Sequence, residues 1–146
     1  MHILTVITRL AIAFWVGGVA IFSFVLTPII FRSYNRDMAG EIVGRLFPAY
    51  FRWGLACGVV ALLALIAARG RQSLVPAVLL VLMLSVTLFQ TLYVEPKAAE
   101  LKREIRSFET TPKDHPLRRE FSRIHGVSAI CNLGVFAGGV VLVALL

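Results

Sequence analysis

The chain has 146 residues, 58% of them hydrophobic, and a formal net charge of +7. Its mean hydropathy of +0.83 leaves too few polar side chains to cover a soluble globule. The basic balance does not point to nucleic acid, because its Lys and Arg residues sit between apolar runs, the arrangement that sets membrane topology. One integral membrane domain over residues 1–146 is therefore expected.

Residues 3–31 form the first apolar segment, broken only by Arg9, which lies near enough to one end to snorkel to the headgroups. The run is too long for a signal-peptide core and no Ala-x-Ala site follows, so it is expected to stay as a span. Gly17 and Gly18, one turn beyond Ala13, offer a thin surface for a neighbouring helix. Pro28 cannot donate to the carbonyl of Phe24, which predicts a kink. A polar turn over 32–37 follows. Helical spacing resumes with Met38, Ile42 and Leu46, beside a Glu41–Arg45 i,i+4 pair. The next apolar run, 53–68, carries Gly54 and Gly58 at GxxxG spacing. It is short for a span, so one helix over 38–68, kinked at Pro48 and with only its second half in lipid, is predicted.

Arg69 to Ser73 reads as a tight connection, with Gly70 ending one helix and Ser73 capping the next. The third span covers 74–94. Beyond Pro96 an apolar stripe of Ala98, Leu101, Ile105 and Phe108 predicts a helical tail outside the membrane. Residues 110–115 break the pattern, and Pro116 fits the first turn of a last helix. Leu117, Phe121 and Ile124 make a stripe that would pack on the tail of the third helix. Residues 126–146 carry no charge and are long enough to cross a bilayer. Gly134 and Gly138 repeat the small-residue spacing within them. Cys57 and Cys131 lie inside apolar runs with no metal or redox spacing and read as structural thiols.

The predicted fold is all-α: an up-down four-helix integral membrane bundle whose helices extend beyond the cytoplasmic face. Arg32, Arg36, Arg45, Arg52 and the eight Lys/Arg from Lys97 to Arg123 fall at one end, against Arg9, Arg69 and Arg71 at the other. The positive-inside rule then places both termini outside the cytoplasm, in a multi-pass protein of the inner membrane.

Counting inward from the other end puts Glu95 and His125 at one level, with Arg52 able to reach them. On the last helix Ser128 and Asn132 share a face with His125, and with Gln90 they would lie just above. Two readings compete. In one the cluster is an interface network of salt bridge and interhelical hydrogen bonds. In the other it is a site for an ion, a small ligand or a partner, as ionisable groups near lipid depth often are. No catalytic motif is present: there is no Walker loop, dinucleotide fingerprint, HExxH or nucleophile elbow. No cofactor is expected. Metal or haem handling through His125 is the rival function, although His2 and His115 lie too far off to complete a metal-site spacing. A structural module is the third: Gly17, Gly18, Gly54, Gly58, Gly134 and Gly138 are the expected packing positions, and their GxxxG faces the route to a homo-oligomer. The expected partners are thus the bilayer, a second copy, and a small ligand or ion, and not nucleic acid.

Several stretches together resemble a known family. Trp15-Val-Gly17-Gly18 with Pro28 and Phe31-Arg32 resembles the first-helix signature of the transmembrane protein 205-like family. Ala39-Gly40 with Leu46-Phe47-Pro48-Ala-Tyr50 resembles its second. Pro96, Glu104 and Phe121-x-x-x-His125-Gly126-x-Ser128-x-x-x-Asn132-Leu133 resemble its third. The resemblance implies a four-span helical membrane protein whose bacterial members carry a domain of unknown function, and it implies no reaction. The Trp-x-Gly-Gly helix also resembles copper-resistance and haem-associated bundles, which typically carry further span histidines; here Thr8 stands early in the first span.

Overall fold

The computed structural model describes residues 2–68 and 74–146. Among them are four long helices and no strand: α1 His2–Ser33, α2 Arg36–Ala67, α3 Leu74–Ile105 and α4 Pro116–Leu145. Each has the length and apolar composition to cross a membrane. At 1.5 Å per residue they measure about 45–48 Å, well over the roughly 30 Å of hydrocarbon, so each has residues to spare outside it. Neighbours in the ring are α1–α2, α2–α3, α3–α4 and α4–α1. The expected connection with Gly70 and Ser73 lies outside the described residues.

The core is narrow. Ile12, Trp15, Ala61, Leu80 and Leu142 are closed off inside the ring. Even in the best-covered span only 39% of the most apolar window is buried, so most of the apolar surface faces outward. Phe14, Leu63, Val75, Leu92 and Ile130 are exposed in this way. Helices apolar on every side suit a bilayer and would aggregate in water.

Glycine decides how closely the helices approach. A Cβ on Gly54 would come within 2.8 Å of the Trp15 indole, and one on Gly58 within 2.5 Å of it. The GxxxG face of α2 is therefore filled by the α1 tryptophan of the same chain. Gly18 lies against Trp53, and Gly138 and Gly139 lie against Met83 and Val16. Gly17 and Gly134, expected at helix contacts, have nothing within 4 Å of a Cβ among the described residues. Their spacing was right for a close approach, but the helices turn other faces to their neighbours.

Pro28 and Pro96 each follow a widened, π-helical turn: Ile21–Leu26 before Pro28 and Gln90–Val94 before Pro96. In these turns the N–H of Thr27 reaches the carbonyl of Phe22, and that of Glu95 reaches Gln90. The extra residue per turn absorbs the mismatch left by the missing proline N–H, so the helices run on through both prolines. At Pro48 the helix is likewise unbroken.

The predicted polar turn over 32–37 shrinks to Tyr34 and Asn35. The helix runs on to Ser33 and restarts at Arg36, because Asn35 Oδ1 accepts the Met38 N–H at 2.9 Å and caps it. The tail of α3 also ends earlier than its stripe suggests, at Ile105 rather than Phe108. Arg106 has φ 61° and ψ −54°, and the Ser107 N–H bonds back to the Ile105 carbonyl at 2.7 Å. That is the strained form of γ-turn. Asp37 at the start of α2 holds the turn in place: its two carboxylate oxygens accept from Ser107 Oγ and the Phe108 N–H, both at 2.6 Å. Phe108 still meets Phe121 edge-on at 4.8 Å, with Arg118 over its ring, and Leu101 and Ile105 are buried. The extension of α3 thus packs on the start of α4 as its apolar stripe predicts.

Candidate functional site

The widened turn of α3 begins at Gln90, and it carries that side chain into the centre of the bundle, where it is wholly buried. Gln90 Nε2 donates to Asn132 Oδ1 at 3.2 Å and lies 3.4 Å from the Ser128 carbonyl and 3.5 Å from its hydroxyl. From α2, the Tyr50 hydroxyl donates to the same Asn132 oxygen at 3.1 Å. One amide oxygen therefore ties three helices together. Among the described residues Gln90 Oε1 is buried without a hydrogen-bond partner. Beside the knot a cavity of about 10 Å³ touches Tyr50, Thr87 and Asn132. That is close to the least space a single water needs. Phe22 stacks on Tyr50 at 4.3 Å and shields it from the α1 side.

Beyond the knot, toward the basic end, the helices part into a cleft of about 550 Å³. Its inner wall is apolar: Phe47 and Phe51 from α2, Val94 from α3, Phe121 and Ile124 from α4. Glu95, His125 and Ser128 line the same space, and Glu41, Arg45, Lys102 and Arg103 add charge to it. No residue of α1 lines it, so its walls come from three of the four helices.

The sequence reasoning placed Glu95, His125 and Arg52 together, and the structure corrects this. Arg52 is exposed, contributes nothing to the cleft, and donates through Nε to the Pro48 carbonyl at 3.0 Å. Counting residues gives depth but not direction. Phe51 faces the core, and one residue further along a helix is about 100° away from it. Glu95 and His125 do share the cleft, although no hydrogen bond joins them among the described residues. His125 is exposed and its ring lies parallel to that of Phe121, 6.2 Å away. Gln90, Ser128 and Asn132, placed just above by the same counting, are brought into direct contact.

Two contributors escaped the sequence reading. Tyr50 entered it only within a family signature. Lys102 entered it only as one of the eight basic residues that set the topology, yet its Nζ donates to the Gly40 carbonyl and its stem lies across Gly40 and Gly44. A Cβ on either glycine would come within 3.1 Å of the lysine. The Gly40-x-x-x-Gly44 spacing was the available signal, and here it seats a side chain rather than a helix. Among the described residues Lys102 makes no ion pair, whereas Arg45 is paired with Glu41 at 2.5 Å and Lys97 bridges Glu100 and Glu120. No three His, Cys, Asp or Glu side chains among the described residues are grouped to hold a metal ion.

The chain matches the family model described as a domain of unknown function (DUF4149) over residues 10–107. The matched stretch takes in most of α1, all of α2 and α3, and the Lys102 seat. It leaves out α4 with His125, Ser128 and Asn132. No solved structure matches the chain.

Proposed function

We propose, for a chain that belongs to the DUF4149 family, that this multi-pass membrane protein works by binding rather than by catalysis, and that its site is the three-walled cleft at the basic end. The observation that carries the reading is the cleft itself. It has about 550 Å³, an apolar inner wall and charged groups converging from three helices, which is the make-up of a ligand pocket. The Gln90–Asn132–Tyr50 knot adjoins it through Ser128, which lines the cleft and whose hydroxyl lies 3.5 Å from Gln90 Nε2. The finer resemblance to transmembrane protein 205-like proteins belongs to this reading, as does the orientation. The cleft lies at the end rich in Lys and Arg, so the positive-inside rule turns it to the cytoplasm of an inner-membrane protein.

Native mass spectrometry of the protein released from mild detergent tests it. Ala99→Trp would fill the cleft, and Leu63→Trp on the outer surface is the control. The expected result is a one-to-one small-molecule adduct on the wild type and on Leu63→Trp that is lost from Ala99→Trp. A wild type that carries no adduct, or an Ala99→Trp variant that carries it equally, would overturn the reading.

A further inference from the structure

We infer that the cleft is a site for an acidic phospholipid of the surrounding leaflet, with Lys102 as the headgroup ligand; this rests on the cleft being a binding site at all. The first support is the seat of Lys102. Two glycines one turn apart leave space on α2 for the lysine stem, and the Gly40 carbonyl takes one of its N–H donors. A lysine ammonium has three donors, so two remain for an anion. It is a half-buried cation with no carboxylate within ion-pair distance among the described residues. Such a charge gains most from an anionic ligand.

The second support is the balance of charge. Arg45, Lys102 and Arg103 line the cleft against Glu41 and Glu95; Arg45 pairs with Glu41, which also lies near enough to act on Lys102. Three cations thus face two carboxylates in the lining, an excess of one, and Arg103 makes no ion pair among the described residues.

Depth and access supply the third support. Lys102 is 28 residues along α3 from Leu74, about 42 Å at 1.5 Å per residue, which is the headgroup level of a bilayer measured across both polar layers. Phe47, Phe51 and Val94 lie deeper, at acyl-chain level, and line the same space. No residue of α1 lines the cleft, and this is the side from which a lipid would enter on the present inference. A molecule entering sideways from the leaflet would thus meet apolar surface along its chain and Lys102 and Arg103 at its headgroup. A water-soluble anion would satisfy the second but not the first.

The test uses the full chain, stripped of lipid in detergent and placed in nanodiscs of phosphatidylcholine with increasing phosphatidylglycerol. Retained lipid is counted by native mass spectrometry after gentle release, and the melting temperature is recorded for every variant. The wild type should retain one phosphatidylglycerol with at least a tenfold preference over phosphatidylcholine. Lys102→Gln should lose most of that preference, Arg103→Gln part of it, and Ala99→Trp all retention. A variant that melts far below the wild type is replaced by Gly44→Ala, which displaces the lysine without removing it and should weaken retention likewise. If inorganic phosphate or glycerol phosphate strips the adduct at equal concentration, the ligand is a free anion and the lipid inference fails. If Ala99→Trp abolishes an adduct that Lys102→Gln leaves unchanged, the cleft stands as a site but its acidic-lipid assignment falls. If no lipid or other adduct appears on the wild type, both fall.

Discussion

Trp15 of α1 lies on Gly58 of α2 so closely that a Cβ there would stand 2.5 Å from the indole ring. Trp15 is almost wholly buried, and the same Cβ would stand 2.6 Å from Leu84 of α3. Three helices therefore converge where one residue has no side chain. In lipid, where no hydrophobic force drives helices together, such close packing is a main source of association.

Gly58→Ala should destabilise the bundle by about 1–3 kcal/mol, the usual cost of overpacking a full core. Gly17→Ala, with nothing within 4 Å, should be neutral. Thermal unfolding in detergent, followed by thiol accessibility of buried Cys57, compares them directly. Equal effects at the two glycines would mean that Trp15 does not occupy the α2 notch.

Asn132 accepts from both Gln90 and Tyr50, so its loss removes two interhelical hydrogen bonds while loss of the Tyr50 hydroxyl removes one. Asn132→Leu should cost more than Tyr50→Phe. The Tyr50→Phe and Asn132→Leu double-mutant cycle should show a coupling of about 0.6 kcal/mol, typical of hydrogen bonds between membrane helices. Additive effects would separate the two residues.

Arg106 has φ 61° in a strained turn at the end of α3. Glycine adopts positive φ without the Cβ penalty, so Arg106→Gly should stabilise the protein by about 1 kcal/mol. Asp37→Ala should do the opposite, because it removes the acceptor for Ser107 and Phe108. A lower melting temperature for Arg106→Gly would argue against the turn.

The basic end should face the cytoplasm. In a background without Cys57 and Cys131, a membrane-impermeant thiol reagent added outside intact cells should label Leu74→Cys and spare Thr111→Cys until the cells are opened. The reverse pattern would invert the topology.

Composition and the length of four apolar runs were enough to determine the four spans, because in a bilayer every backbone N–H and C=O must be satisfied within its own helix. The stripe of Leu101, Ile105 and Phe108 likewise foretold the packed extension. Two things were not legible. One was the rotation of each helix about its axis, since residues apolar on every side give no stripe to orient it. That is why Arg52 was placed with Glu95 and His125 yet points elsewhere, and why Gly17 and Gly134 have no partner. The other was what a small-residue spacing receives. The sequence marks Gly54-x-x-x-Gly58 and Gly40-x-x-x-Gly44 alike as close-approach surfaces. Only the arrangement of neighbouring helices fills the first with the indole of Trp15 and the second with the ammonium stem of Lys102.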